Sequence, residues 1–175
     1  SISIDADGTI YVTNDTEVLA VTDNGATGSL KWKAEGLLGP NSSGVVIGPN
    51  GDLYVGTKSG LIALNPETGA EKWTYPSWME ESVPAVDKNG NIYFGNNEGK
   101  FLIVNADGEL QRQITVGEAN AIVHSPVIGD DGSVYVEVFE NDRVKLCKIT
   151  VEDGGPADSP WPMKGQNRKH TGHAI

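Results

Sequence analysis

The sequence predicts an all-β protein, a β-propeller of four-stranded antiparallel blades with about four blades in the 175 residues. Three observations predict it. A short phrase recurs four times, it recurs with a period near 40 residues, and no segment keeps apolar residues at helical spacing over three turns. Periods of about 40 residues are those of propeller blades, in which small sheets stack around an axis because one sheet cannot cover both its faces.

The phrase is Asp7-Gly8-Thr9-Ile10-Tyr11-Val12. It returns as Asn50-Gly51-Asp52-Leu53-Tyr54-Val55, as Asn89-Gly90-Asn91-Ile92-Tyr93-Phe94 and as Asp131-Gly132-Ser133-Val134-Tyr135-Val136. Its tyrosines are 43, 39 and 42 residues apart. Each copy reads as a hairpin, since Asp-Gly and Asn-Gly supply the positive φ that tight turns require. The first strand of each hairpin ends at Ile4, Ile47, Val86 or Ile128, and the second strand is the phrase itself, alternating with period two. A third strand follows at 18–21, 61–64, 101–104 and 144–149. These runs are apolar on both faces, as sheets sandwiched between neighbours require. A fourth strand is visible in the first two copies, at Leu30-Lys31-Trp32 and Glu71-Lys72-Trp73. The repeats then span about 2–43, 44–83, 84–125 and 126–155. Residues 156–175 form a tail that packs on the propeller or extends from it.

Composition narrows the function classes. The 22 glycines suit an architecture of many tight turns. Net charge is −11 and the isoelectric point about 4.6, which excludes the broad basic face a nucleic-acid binder uses. No stretch approaches the ~20 apolar residues of a membrane span. Nor does the N-terminus, Ser1-Ile2-Ser3-Ile4, have the form of a signal peptide. The single cysteine, Cys147, excludes an intramolecular disulfide and reads as a small buried thiol.

The second copy contains Ala63-Leu64-Asn65-Pro66-Glu67-Thr68-Gly69-Ala70-Glu71-Lys72-Trp73. This resembles the tryptophan-docking motif of quinoprotein alcohol dehydrogenase-like propellers, the pyrroloquinoline-quinone repeat family. The matching residues are Ala63, Asn65, Thr68, Gly69 and Trp73, and the first copy keeps Thr27, Gly28 and Trp32. The resemblance implies that Trp73 packs on the neighbouring blade near Gly69 with its indole N–H bonded to backbone, a large apolar burial with one donor satisfied. In the third copy Arg112 stands where the tryptophan would fall. The tail from Trp161 to Gly172 is also similar to segments near the ends of such propellers.

The same resemblance raises a quinone-dependent dehydrogenase, and the residues argue against it. Such enzymes are typically eight-bladed, draw their cofactor ligands from many blades, and often carry adjacent cysteines beside the quinone. We therefore assign no catalytic, cofactor-binding or metal-binding residue and expect no cofactor. The Asp-rich segments at 5–8, 87–90 and 130–132 lack the ligand spacing of a calcium loop and coincide with the repeated turns. His170 and His173 read as part of a surface tail, and the acidic residues Glu80, Glu81, Glu137, Glu140 and Asp142 as solvated. Trp78 and Met79 lie in a connector outside the docking motif, and connectors lie on propeller faces where partners meet loops.

The expectation is a non-catalytic binding or scaffold module for a protein or small ligand. It is placed in the bacterial periplasm or at the cell surface, as in outer-membrane assembly or in surface proteins with these repeats. A fragment of a pyrroloquinoline-quinone dehydrogenase and a carbohydrate-binding module are the alternatives. The four blades form a small closed ring, half of a ring completed by a homodimer, or part of a larger propeller.

Overall fold

The computed structural model describes residues 1–14, 16–36, 44–79, 82–151 and 154–167. Glu80, Glu81, His170 and His173 therefore lie outside the described residues. All regular structure among the described residues is β, arranged as four antiparallel sheets.

Blade 1 is β1 (Ile2–Ile4), β2 (Thr9–Thr13), β3 (Glu17–Asp23) and β4 (Gly28–Glu35), paired in sequence order. Blade 2 repeats this order with β5 (Val46–Ile47), β6 (Leu53–Thr57), β7 (Gly60–Leu64) and β8 (Glu71–Pro76). Blade 3 repeats it again with β9 (Ala85–Val86), β10 (Ile92–Gly95), β11 (Lys100–Val104) and β12 (Leu110–Thr115). The third copy thus has its fourth strand, although Arg112 replaces the tryptophan that marks the strand in the first two.

Blade 4 is built differently. β13 (Ile122–Val123) and β14 (Val127–Ile128) lie end to end on one edge of β15 (Ser133–Glu140), and β16 (Arg143–Thr150) pairs with its other edge. Between Val123↔Val138 and Val127↔Tyr135 the edge strand advances one residue more than its partner, a β-bulge. This blade begins with β13, before residue 126. Among the described residues no strand lies outside β16, where the other blades carry β4, β8 and β12.

Directly paired residues share a face of a sheet, so every blade has a forward face toward its successor and a rear face toward its predecessor. The forward face of blade 1 presents Tyr11, Val18, Ala20 and Trp32 to the rear face of blade 2, which supplies Ile47, Leu53, Val55, Ile62 and Leu64. Tyr54, Leu61 and Ala63 meet Val86, Ile92, Phe94, Leu102 and Val104 in the same way. Tyr93, Phe101 and Ile103 then meet Ile128, Val134, Val136 and Val138. Three hydrophobic junctions, each between adjacent sheets, hold the array together. The tyrosine of each of the first three blades sits at the centre of one.

Candidate interaction surfaces

Tryptophans lock the first two junctions across blades. Trp32 lies on Gly69, where an added Cβ would come within 2.4 Å of its ring, and its indole N–H donates to the Pro66 carbonyl at 2.7 Å. Trp73 lies on Gly108 in the same way and donates to the Ala106 carbonyl at 2.8 Å. Gly69 therefore receives the tryptophan of the preceding blade, and Trp73 reaches forward to Gly108 rather than back to Gly69. Positive φ (70° and 83°) and the close ring both call for glycine at these two positions. Ala63 pairs directly with Trp73 across the strands, with Tyr54 beside it. Asn65 caps its turn by accepting the amides of Glu67 and Thr68. Thr27 accepts the Asn24 amide through its carbonyl, and Gly28 pairs with Asp23 in a hairpin two residues longer than that of blade 2.

The Asp-rich segments close the inner hairpins. Asp5 accepts the amides of Asp7 and Thr9 and the hydroxyl of Tyr11 at 2.8 Å. Asp87 accepts the amides of Asn89 and Asn91, the Asn91 side chain, and the Tyr93 hydroxyl at 2.7 Å. Both carboxylates are spent on their own turns, and the turn glycines Gly8, Gly51, Gly90 and Gly132 all have positive φ. Burial raises the Asp5 carboxyl above the usual carboxylate range. Burial, then hydrogen bonding to these carboxylates, raises Tyr11 and Tyr93 above the ordinary phenol value.

In blade 2 the aspartate position is Gly48, and the buried Tyr54 hydroxyl has no hydrogen-bond partner. Tyr135 is only half-buried and lies under the Lys148 ammonium, 5.6 Å from its ring centroid.

The tail returns along the first strands of blades 2 and 3. The Ile47 amide donates to the Trp161 carbonyl and the Val86 amide to the Pro162 carbonyl, both at 2.8 Å, and the Ala157 amide donates to the Val86 carbonyl at 2.9 Å. Trp161 enters the first junction, Ala157 the second and Met163 the third. A cleft of about 290 Å³ opens beside this crossing, between Asp5, Asp7, Pro49, Pro66, Glu67 and Pro160.

The connector after β8 separates its two apolar residues. Met79 is buried in the second junction, whereas Trp78 is 51% exposed and anchored through its carbonyl, which accepts the Asn97 amide at 2.9 Å. Of the pair, Trp78 alone is exposed. Cys147 is partly buried and packs against the third junction, a more open position than a buried thiol. Glu140 is engaged locally, accepting the Glu118 amide and the Lys145 ammonium, which hold its carboxyl below the usual range.

Quinone chemistry does not fit these residues. The tail hydrogen-bonds to the edges of β5 and β9, the strands that face a propeller axis, and the turn carboxylates best placed to ligate an ion are committed to backbone amides.

Four antiparallel sheets stacked in series, the first two junctions locked by tryptophan-on-glycine contacts, define a β-propeller of the pyrroloquinoline-quinone-like repeat class. The chain belongs to the family described as outer membrane protein assembly factor BamB, whose model matches residues 3–154. No curated protein sequence matches it. Among solved structures it is similar to BamB from Moraxella catarrhalis, with 16% identity and a TM-score of 0.66 over 96% of this chain and 62% of that one. It is also similar to a streptogramin B lyase, with 15% identity, a TM-score of 0.59, and coverage of 87% and 54%. A third relative in fold is the calcium-binding protein regucalcin from Agrobacterium tumefaciens, with 12% identity, a TM-score of 0.54, and coverage of 93% and 60%. The chain thus spans less than two thirds of each, and at these identities the likeness is one of fold. Among the described residues no helix is long and apolar enough to cross a membrane.

Proposed function

We propose that this chain is a non-catalytic interaction module that offers a connector face to a protein partner in the bacterial periplasm or at the cell surface. The observation that carries this reading is Trp78. A large aromatic held half-exposed on a fixed backbone, next to a buried Met79, has the form of an interface anchor. Two further features support it. The turn carboxylates are consumed in capping, and the family is described as an assembly factor. That description also supports the envelope location.

The test places a photo-crosslinking amino acid at position 78, and at the exposed Leu30 as control, in an envelope fraction. A defined adduct from position 78 alone, suppressed by excess unmodified chain but not by excess Trp78→Ala chain, is the expected result. Stoichiometric binding of pyrroloquinoline quinone with calcium, followed by absorbance, would overturn it in favour of a dehydrogenase relative. A glycan-array signal that Trp78→Ala abolishes would instead assign the anchor to a sugar ring.

A further inference from the structure

Blade 1, blade 2 and the tail together wall the cleft of about 290 Å³ beside the first junction. Its floor is apolar. Pro49 comes from the inner turn of blade 2, Pro66 from its outer turn and Pro160 from the tail, and they lie over Ile47. Hydrogen bonds fix these walls in place. The Ser159 hydroxyl donates to the Ile47 carbonyl, the Ile47 amide to the Trp161 carbonyl, and the Trp32 indole to the Pro66 carbonyl. In size the cleft stands at the small end of preformed ligand sites.

Four carboxylates surround this floor, from Asp5, Asp7, Glu67 and Asp158. Asp5 and Asp7 accept amides of their own turn and act on the cleft through their charge. Turn capping gives no account of Glu67 and Asp158, which are both exposed. Lys31 stands on Glu67 at 3.2 Å. Among the described residues no three carboxylates, imidazoles or thiols converge as a metal site. The charges are spread around an apolar floor, an arrangement for an organic cation rather than an ion.

The second junction is an internal comparison. There the Trp73 indole meets the Ala106 carbonyl as the Trp32 indole meets that of Pro66. Counted from the turn glycines, Gly48, Asn50 and Lys88 take the places of Asp5, Asp7 and Pro49. Two carboxylates and two prolines are lost and a lysine is gained, although the tryptophan contact is kept. The acid-rimmed proline cleft therefore belongs to the first junction and is not a by-product of the repeat. It opens at the end of the sheets that carries the β1–β2, β5–β6 and β7–β8 turns. The connector with Trp78 follows β8 at the opposite end, so the two surfaces lie on opposite faces of the array.

We propose that this cleft binds a guanidinium group carried on an apolar stem, the chemistry shared by an arginine side chain and a free alkylguanidine. A guanidinium is planar and weakly hydrated. Its face can lie on the pyrrolidine rings while its N–H groups reach the carboxylates at the rim. An ammonium is a compact, strongly hydrated point charge and makes poorer use of such a floor. With so few ligand atoms in an open cleft, binding is weak, with a Kd of about 1 mM.

Amide NMR titration of the full chain tests this with butylguanidinium, its uncharged isostere butylurea, pentylammonium, and the capped peptide acetyl-Ala-Arg-Ala-amide. Butylguanidinium is expected to give saturable shifts at the amides of Ala6, Gly48, Gly51 and Glu67, weakened by added salt. The same shifts from the peptide assign the group to a polypeptide; their absence assigns it to a free small molecule. Asp158→Lys, at an exposed position, weakens binding about fivefold, the range of an exposed charge pair. Glu67→Gln weakens it too and gives a second reading, and each variant's spectrum reports whether it is folded. Glu98→Gln removes one carboxylate on the opposite face and leaves binding unchanged. No saturable shift at these amides up to about 20 mM, far above the Kd expected of so few atoms, overturns the proposal. Butylurea binding as well as butylguanidinium, or pentylammonium binding more tightly, overturns it as well. So does equal weakening by Glu98→Gln, which would credit the overall charge of −11 rather than the cleft.

Discussion

Trp32 rests directly on Gly69, 37 residues further along the chain, with its ring in the space a Cβ would occupy. Gly69→Ala adds a methyl group at 2.4 Å from that ring on a backbone of φ +70°. We expect a loss of about 2–4 kcal/mol from overpacking and left-handed strain combined. Urea denaturation monitored by tryptophan fluorescence measures it. Gly8→Ala, where no atom lies within 4 Å of the added carbon, isolates the backbone part and costs less.

Tyr54 and Tyr93 are equivalent in the repeat and differ in one partner. Tyr93→Phe removes a hydrogen bond to Asp87 and is expected to cost about 1–2 kcal/mol. Tyr54→Phe removes a buried hydroxyl with no partner and is expected to be neutral within about 0.5 kcal/mol, or stabilising. Paired thermal melts decide this, and a larger loss for Tyr54→Phe would contradict it.

Alkaline stability follows from the same side chains. Burial pushes the Tyr54 phenol from 10.0 up to about 12, and Tyr11 and Tyr93 are raised in the same direction. The folded state then holds these protons where the unfolded chain has lost them, so stability is complete below pH 10 and falls as pH rises toward 12 and beyond. Phenolate absorbance should appear together with loss of the β-sheet circular dichroism signal, rather than before it.

Trp161 ties the tail into the first junction. Trp161→Ala is expected to cost about 3–5 kcal/mol, the range for large buried aromatics. Ending the chain after Asp158 removes the same contact, along with the hydrogen bonds to Ile47 and Val86. Hydrogen exchange should then quicken at those two amides first.

Trp78 is the exposed tryptophan of the four, beside the buried Trp32 and Trp161 and the partly buried Trp73. Acrylamide quenching should lose its most accessible component in Trp78→Phe while the melting temperature stays within about 2 °C, as for a surface substitution.

Much of the fold was legible because its signals are local. Asp-Gly and Asn-Gly turns, alternation after each turn, and the repeated tyrosine are set by backbone sterics over a few residues. The fourth strand of blade 3 lacked its tryptophan marker, with Arg112 in its place, and the pairing of β12 with β11 is what reveals it. The odd build of blade 4, with its bulged edge of β13 and β14, has no comparable local mark.

By itself the sequence determined the all-β class, the four repeats, the positions of their turns and the tyrosine of each repeat, because period and turn chemistry are written residue by residue. Only the tertiary structure decided that Gly69 receives Trp32 and Gly108 receives Trp73, that Met79 is core while Trp78 is surface, and that the tail lines β5 and β9. It also decided that Lys148 pairs with Tyr135 on the forward face of blade 4, where the earlier blades carry Ala20, Ala63 and Ile103. Each of these depends on which faces meet when sheets stack, and those contacts join residues far apart in the chain whose chemistry no local pattern pairs.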